Sequence, residues 1–444
     1  MDSGLASFFI LAPRQRIIAM PGPSLALVGL LLLSMSGVIG CDAGSGDASV
    51  TFQELTKIVA SDGQDEGDFG ASVALDGAHM IMGGSFGGPS ERGFAYIFRR
   101  TQGGEAPWSQ VKKIRGADTT IMDTFGFSVA ISGDYAAVGA PNADGIAGIL
   151  DSGAAYIFFR NEGGTDRWGQ QRELVAGDPA WSDGFGQSVA IDGDYVVVGA
   201  PYKHGAYYDS GAVYVFHRNQ GGENNWGQVK KITPGDPRLH LNFGRDVAID
   251  GDLVLVGAAG EAHLFGRDRP SAGQWGEVRK LVGSDTLSGD DFGNAVGISR
   301  GCAVVGAHYR PGDGEYRGAV YVFARDQGGA DGWAEVRRLT ASDAHDMDEF
   351  GYDVAIHGNC LIVGALYAAD LFNSQGAVYF YARDRGGENA WGEANKVMAS
   401  DTEDGDILGY CVGIDEDYAV AGAPGEDGPG EDRGAVYVFK KTRG

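Results

Sequence analysis

Short apolar segments recur along the chain after residue 50 in one fixed order. In residues 188–232, Ser-Val-Ala-Ile-Asp precedes the continuous apolar run Tyr-Val-Val-Val-Gly-Ala. Ala-Val-Tyr-Val-Phe comes next, and Trp-Gly-Gln-Val-Lys-Lys-Ile then alternates apolar with charged positions. β-Branched and aromatic runs of this length, separated by glycine-rich turns, predict four short strands. The continuous run predicts a strand that is buried on both faces.

This four-strand unit occurs seven times with nearly invariant spacing. Phe-Gly begins at residues 69, 125, 185, 243, 292 and 350, and Leu408-Gly409 takes the seventh position. A glycine follows 14 residues after each of these positions, and three of those glycines open the triplet Gly-Ala-Pro. Only the segment between that glycine and the third strand changes length, so all insertions fall in one loop. Seven four-stranded units predict an all-β, seven-bladed β-propeller.

The two ends of the repeat array predict a closed ring. The seventh unit stops after its third strand, whereas residues 52–58, Phe-Gln-Glu-Leu-Thr-Lys-Ile, match the fourth strand of the other units. We therefore expect the N-terminal strand to complete the last blade. The phenylalanine of each Phe-Gly is expected to fill the gap between blades. The tryptophan that opens each fourth strand is expected to pack under the neighbouring blade, with a sugar-binding stripe as the alternative.

The Phe-Gly and Gly-Ala-Pro signatures resemble FG-GAP repeats over residues 51–444. These repeats build the β-propeller head of integrin α subunits and occur in bacterial surface proteins, so the resemblance implies a propeller and a binding or adhesion role. Integrin calcium sites use an aspartate-rich hairpin after the first strand. Here that hairpin has two or three residues, such as Asp192-Gly193-Asp194, which is too short to surround Ca²⁺ with six to eight oxygens. The calcium sites of the family therefore do not carry over.

The first 50 residues predict export and anchoring. Residues 25–33 are apolar, arginines precede them, and small residues follow, ending in Val-Ile-Gly-Cys41. This pattern is typical of a signal peptide and resembles the bacterial lipobox, in which the cysteine is lipidated. The alternatives are an ordinary secretory signal and an uncleaved anchor helix, and Met20 is an alternative start.

The predicted organisation is a signal peptide over 1–40, a flexible tether over 41–50 and the propeller over 51–444. Cys41 is the predicted lipidation site. The protein is expected in the bacterial cell envelope, attached to a membrane or the cell surface through its N-terminal lipid.

The composition and the charge of the chain limit the kinds of partner and activity that it can have. The chain has 74 glycines in 444 residues, and the repeats place many of them in turns and close contacts. Its net charge of −25 argues against nucleic acid, since phosphate binding depends on Lys and Arg. We find no His-Glu-x-x-His, phosphate loop or Cys-x-x-Cys. The protein is therefore predicted not to be an enzyme, with a propeller hydrolase as a further alternative.

Aspartates recur at two fixed positions before the Phe-Gly slots. One stands seven residues before every slot, and a second stands two residues before it in five units. Their strict position favours a turn role, in which carboxylates accept backbone N–H groups. The alternative is weak calcium binding completed by main-chain carbonyls, and no other cofactor is predicted. The candidate pairs are Asp118 with Asp123, Asp178 with Asp183, Asp285 with Asp290, Asp343 with Asp348, and Asp401 with Asp406.

The variable loops between second and third strands are the predicted binding surface. They open on the same face as the connections between blades, and variable loops on a rigid scaffold commonly carry binding. We expect a protein or glycan ligand and a monomeric propeller. The alternative is an envelope scaffold without a dedicated ligand site. The ligand-binding candidates are Tyr202, Lys203, His204, Tyr207, Tyr208, Tyr309, Arg310, Tyr316, Tyr367 and Phe372.

Overall fold

The apolar runs form strands at the predicted positions. A computed structural model describes residues 49–62, 67–85, 92–101, 108–144, 149–311, 314–327, 332–368, 374–427 and 433–443. Across these ranges the chain forms 28 strands, and none of the described residues is helical. No helix in the described part of the chain is long and apolar enough to cross a membrane.

The strands follow one another at regular intervals. The first fourteen are β1 (Val50–Ile58), β2 (Ser72–Asp76), β3 (His79–Gly84), β4 (Phe94–Arg100), β5 (Trp108–Ile114), β6 (Val129–Ser132), β7 (Tyr135–Ala140), β8 (Ala154–Phe159), β9 (Gly169–Leu174), β10 (Ser188–Asp192), β11 (Tyr195–Ala200), β12 (Ala212–His217), β13 (Gly227–Ile232) and β14 (Val247–Asp250). The remaining fourteen are β15 (Leu253–Ala258), β16 (Glu261–Gly266), β17 (Gly276–Leu281), β18 (Val296–Ser299), β19 (Cys302–Ala307), β20 (Ala319–Arg325), β21 (Trp333–Leu339), β22 (Phe350–His357), β23 (Cys360–Ala365), β24 (Ala377–Ala382), β25 (Gly392–Val397), β26 (Val412–Ile414), β27 (Tyr418–Ala423) and β28 (Ala435–Arg443).

These strands form seven antiparallel four-stranded sheets, which are the blades of a β-propeller. Blades 1 to 6 are β2–β5, β6–β9, β10–β13, β14–β17, β18–β21 and β22–β25, and blade 7 has the order β26-β27-β28-β1. The predicted fold class and the predicted closure by the N-terminal strand are therefore both confirmed.

Strand β1 closes the ring by pairing antiparallel with the C-terminal strand β28. The pairing runs from Val50 opposite Arg443 to Ile58 opposite Val436, with a bulge between Glu54 and Thr56. Val50 is buried and begins the strand, so the folded ring starts inside the segment that the sequence analysis assigned to the tether. Cys41 and the rest of the leader lie outside the described residues.

Each blade runs back and forth between two faces of the ring. The first strand starts after Phe-Gly, so the connections between blades and the loops between second and third strands lie on one face. We call this the loop face. The turns between first and second strands and between third and fourth strands lie on the opposite face, which we call the hairpin face.

Neighbouring blades touch through backbone atoms at the repeated glycines. A Cβ added to Gly199 of blade 3 would lie 2.0 Å from the carbonyl oxygen of Gly244 in blade 4. Gly211 and Phe243 form a parallel bridge across the same junction. At Gly422 an added Cβ would lie 1.9 Å from the Gly70 carbonyl oxygen, so the contact also closes the junction of blades 7 and 1. Only glycine permits this approach.

Aromatic side chains fill the space between blades. Phe125 is fully buried and packs with Ile97 of blade 1 and Phe158 of blade 2. Trp226 of blade 3 meets Tyr135 of blade 2 with ring centroids 5.3 Å apart, and its Nε1 donates to Gln171 at 2.9 Å. The tryptophans of all six slots are at most 6% exposed, so they belong to the core and not to a sugar-binding stripe.

A series of hydrogen bonds joins blades 1 to 6 on the hairpin face. In each case the last residue of a first strand accepts the backbone N–H of the next blade's hairpin. The bonds run from Gly133 to Asp76, Gly193 to Ser132, Gly251 to Asp192, Arg300 to Asp250 and Gly358 to Ser299. Side chains at this position thus tie blades 1 to 6 together in order.

The glycine contact between blades predicts a large effect of a single methyl group. Gly199→Ala should lower the free energy of unfolding by about 2–3 kcal/mol, because the new Cβ meets backbone that moves only with the whole blade. The matched control is Gly235→Ala, where an added Cβ finds its nearest neighbour at 3.5 Å. Denaturant unfolding measures both variants, and equal midpoints for the two would contradict the inter-blade contact.

Candidate functional site

The first row of aspartates is held by tyrosine and cationic side chains. Asp178 accepts the Tyr214 hydroxyl at 2.7 Å and the Lys231 ammonium at 2.6 Å. The same tyrosine-to-aspartate bond joins Tyr156 to Asp118, Tyr321 to Asp285, Tyr379 to Asp343 and Tyr437 to Asp401. These carboxylates therefore pin the third strand and the fourth strand to the connection between blades.

The second row of aspartates shapes the inter-blade turns. Asp183 accepts the backbone N–H of Ala180 at 2.7 Å, three residues earlier. Asp123, Asp290, Asp348 and Asp406 accept N–H groups from Thr120, Leu287, His345 and Glu403 in the same way. These bonds correspond to the turn role that the sequence analysis considered for the aspartates. Among the described residues, no group of three or more His, Cys, Asp or Glu side chains converges as a metal site.

The sequence analysis expected Lys203 and Arg310 to be exposed ligand contacts. In the structure both side chains pair with aspartates instead. Lys203 is only 6% exposed, and its Nζ donates to Asp183 at 2.8 Å. Arg310 donates to Asp285 at 2.8 Å and to the Tyr321 hydroxyl at 3.0 Å. Burial alone would raise the pKa of Asp285, but the hydrogen bonds from Tyr321 and Arg310 lower it to about 2. Lys203 therefore neutralises the buried carboxylate of Asp183, and Arg310 pairs with the partly exposed carboxylate of Asp285.

The loop tyrosines do reach the surface. In blade 3, His204 packs against Tyr208 with centroids 4.1 Å apart and the rings tilted by 54°, and Tyr208 is 66% exposed. In blade 5, Tyr309 and Tyr316 meet at 5.3 Å, and each is about two-fifths exposed. The other exposed candidates are Tyr202, Tyr207 and Tyr367. Phe372 lies outside the described residues.

A cavity of about 370 Å³ lies on the propeller axis at the loop-face end of the first strands. We call it the axial cavity. Its wall is made chiefly of the three residues that follow Phe-Gly in each blade: 71–73, 127–129, 187–189, 245–247, 294–296, 352–354 and 410–412. The third residue is valine in every blade, whereas the first is Ala, Phe, Gln, Arg, Asn, Tyr and Tyr in turn.

Five aromatic side chains connect this cavity with the surface of the blade 5 loop. From outside inward they are Tyr316, Tyr309, His308, Tyr352 and Tyr410, which we call the aromatic arc. The centroids of successive rings are 5.3, 4.0, 5.3 and 5.4 Å apart. His308 is buried, and burial lowers its pKa to about 4, so the imidazole is neutral near pH 7.

Charged groups lie beside the aromatic arc. Arg245 binds Asp291 through two guanidinium nitrogens, at 2.5 and 3.0 Å. Glu349 occupies the same slot one blade later and is 8% exposed. Burial, followed by the charge of Asp291, raises the pKa of Glu349 to about 7.

Two further carboxyl groups line the axial cavity itself. Asp246 and Asp353 accept the N–H groups of Val296 and Val412 in neighbouring blades, each at 2.6 Å. Burial raises the pKa of Asp246 to about 6. Burial and the charge of Asp246 raise the pKa of Asp353 to about 7.

Protein-family comparison matches the FG-GAP repeat to seven segments of this chain. They are residues 52–98, 108–158, 168–216, 226–272, 275–323, 333–381 and 391–439. The chain belongs to the FG-GAP repeat family. No curated protein matches the sequence.

The FG-GAP assignment separates structural residues from candidate functional ones. The Phe, Gly and Trp residues that define the repeat all lie at blade junctions. FG-GAP propellers of the integrin type are protein-interaction or adhesion modules and are typically non-enzymatic. The residues available for a specific role are therefore those that the repeat does not prescribe.

The sequence analysis missed the inner half of the aromatic arc. Tyr352 and Tyr410 stand directly after Phe-Gly and Leu-Gly, a position that differs between blades while the valine two residues later never changes. A position that varies between blades, although the spacing around it is fixed, was the sequence signal that could have identified these two residues. Arg245, Asp246 and Asp353 occupy the same short segment and were missed for the same reason.

The axial carboxyl groups predict that this FG-GAP propeller is most stable in mild acid. Asp246, Asp353 and Glu349 have raised pKa values, so from about pH 4 to pH 7 the folded chain binds protons that the unfolded chain has released, and stability falls as pH rises. Asp285 and Glu261 have pKa values lowered to about 2, and their contribution is lost below about pH 4. The lowered pKa of His308 acts in the opposite direction between about pH 4 and pH 6.5, but it offsets only one of these three carboxyl groups, so the melting temperature should still peak near pH 4–5.

Asp353→Asn supplies the control for this pH profile, because it removes one titrating group from the axial cavity. Its melting temperature should vary less than that of the parent between about pH 5 and pH 8. A melting temperature that rises steadily over that interval in the parent would contradict the raised pKa values.

A calcium titration tests the cation hypothesis for the aspartate pairs. Because protein donors already occupy these carboxylates, we expect calorimetry to show no heat and the melting temperature not to change on adding Ca²⁺. Blade 2 is the blade where calcium binding would be easiest to detect, since Glu173 stands where other blades have Lys or Arg. Burial and then the charge of Asp118 raise the pKa of Glu173. A calcium-dependent melting shift that disappears in Asp118→Asn would establish the site instead.

Proposed function

We propose that this FG-GAP propeller is an exported, lipid-anchored binding or adhesion module that recognises a protein or glycan on its loop face. The observation that carries the proposal is the aromatic arc. It forms a continuous row of rings from the exposed Tyr316 and Tyr309 to the axial cavity. Rings in such a row offer a ligand both an open platform and a recess.

The chemistry of this surface suits a ligand with apolar faces and polar edges. Tyrosine supplies a large rigid apolar area together with a hydroxyl group, which is why it is enriched in interface hot spots. The axial cavity, at about 370 Å³, falls within the ordinary range of ligand pockets. Arg245, Asp291 and Glu349 add hydrogen-bonding groups at the rim. A sugar or a partner's extended segment meets both requirements.

The anchor is the second part of the proposal. Cys41 follows an apolar segment and small residues in the order of a lipobox, and lipidation there would attach the propeller to a membrane of the cell envelope. Incorporation of a labelled fatty acid into the parent and its absence in Cys41→Ser test the anchor separately from ligand binding.

The envelope scaffold remains the alternative from another functional class. A scaffold without a ligand site would use the ring only as a rigid spacer, so changes to exposed tyrosines would leave its partners bound. The hydrolase alternative has less support, since Asp246 and Asp353 both use carboxylate oxygens to hold backbone N–H groups of the next blade.

The test is a glycan and peptide array probed with the full chain and two double variants. Tyr309→Ala with Tyr316→Ala removes the outer end of the aromatic arc, and we expect binding at least about tenfold weaker. Tyr207→Ala with Tyr208→Ala removes two exposed rings from the blade 3 loop and serves as the matched control. Melting curves show whether each variant is folded.

Two outcomes would contradict the proposal. If the blade 3 variant loses the ligand and the blade 5 variant retains it, the binding surface is the blade 3 loop and not the aromatic arc. If both variants retain every array ligand and every cell-surface partner of the parent, the scaffold alternative is supported.

A further inference from the structure

A second cavity, of about 340 Å³, opens on the hairpin face between blades 6 and 7. Its wall carries Arg300, His357, Arg383, Lys441 and Arg443, and we call it the basic cavity. Two acidic residues, Glu416 and Asp417, share the wall. Four permanent cations against two carboxylates form a local positive surface on a chain whose net charge is −25.

The junction that carries the basic cavity also differs from the repeat at the positions of two large side chains. Between blades 2 and 3, Tyr135 packs against Trp226 and lies beneath the Arg218 guanidinium, 5.2 Å from its carbon to the ring centroid. In the slots of that tyrosine and tryptophan, the junction of blades 6 and 7 has Cys360 and Phe52.

Lys441 stands in the slot of Arg218 but has no tyrosine ring beneath it. The substitutions therefore leave Lys441 without the aromatic ring that lies under Arg218, and Lys441 is part of the cavity wall.

The floor of the cavity also contains an unused hydrogen-bonding group. His357 Nε2 is buried and has no hydrogen-bond partner among the described residues. Burial, followed by the charge of Arg300, lowers the pKa of His357, so the ring is neutral near pH 7. A neutral imidazole can still donate one N–H to an anion. An oxyanion is thus the ligand class that both the charges and the orphaned nitrogen fit.

The position of the basic cavity relates it to the chain's N-terminal segment. Val50 begins β1 on the hairpin face, directly opposite Arg443 of the cavity wall. Eight residues lie between Cys41 and Val50, and a fully extended chain from one to the other spans roughly 30 Å. A lipid on Cys41 therefore keeps the hairpin face, with its basic cavity, close to the bilayer surface.

We propose that the basic cavity binds the phosphate of anionic lipid headgroups and holds the hairpin face against the membrane. This inference rests on the proposed anchor at Cys41. The loop face then points away from the membrane, toward ligands. Acidic residues on the loop face do not prevent the contact, because a six-residue strand spans about 20 Å, or about two Debye lengths at 0.1 M salt.

Vesicle co-sedimentation tests the proposal in the full chain carrying Cys41→Ser, so that no lipid is attached. The vesicles contain phosphatidylcholine alone or phosphatidylcholine mixed with phosphatidylglycerol. We expect preferential binding to the phosphatidylglycerol vesicles. Arg300→Ala with Lys441→Ala should weaken that binding roughly 25-fold, about fivefold for each cation. Melting curves of the same samples show that the variants are folded.

The matched control is Lys440→Ala, which removes a neighbouring cation on the other side of β28. It should leave vesicle binding unchanged. The proposal is overturned if the parent shows no preference for phosphatidylglycerol, or if Lys440→Ala loses as much binding as the cavity variant. It is also overturned if inorganic phosphate, matched to the vesicle phosphate concentration, displaces the vesicles, since the ligand is then a soluble anion. If fatty-acid labelling at Cys41 fails, the proposed anchor is wrong. The vesicle results still test whether the basic cavity binds anionic lipid, because they are obtained without the lipid on Cys41.

Discussion

Backbone-to-backbone contact between neighbouring blades is the constraint on which this propeller depends. At Gly199 a single added carbon would lie 2.0 Å from the next blade's carbonyl oxygen, and the seventh junction repeats the contact at Gly422. Contacts this close leave no space for side chains, so the apolar wedges lie farther from the axis. The ring can close only if every junction obeys the same spacing, which is why the register of the repeat varies so little.

The same constraint decides where function can lie. Phe, Trp and the aspartates of both rows are committed to junctions, turns or buried ion pairs, and they recur because each junction needs them. Two places escape this requirement, namely the loops between second and third strands and the residue after Phe-Gly on the axis. The aromatic arc is the place where both kinds of position meet, in blades 5 to 7. The basic cavity lies elsewhere, on the hairpin face at the junction that closes with β1.

Most of the fold could be predicted from the sequence because periodicity encodes it directly. The glycine spacing, the buried runs and the match of residues 52–58 to a fourth strand together require a closed seven-bladed ring. The ion-pair and hydrogen-bond partners of individual side chains were harder to predict. Lys203 stands in a variable loop, yet its side chain turns inward because Asp183 would otherwise remain buried without a cation. Arg310 stands in another variable loop and turns toward Asp285 and the Tyr321 hydroxyl. Tyr352 and Tyr410 were overlooked since they stand within a motif whose other residues are structural.

The central claim is that residues outside the repeat pattern carry recognition while repeat residues carry stability. The most direct test replaces Tyr352 and Tyr410 with glutamine, the residue that blade 3 has at this position in Gln187. A binding isotherm of Tyr352→Gln with Tyr410→Gln, measured with an array ligand of the parent, decides the question. The account predicts a variant that melts cooperatively near the parent's temperature and binds at least about tenfold more weakly. Unchanged affinity in the folded variant would contradict it.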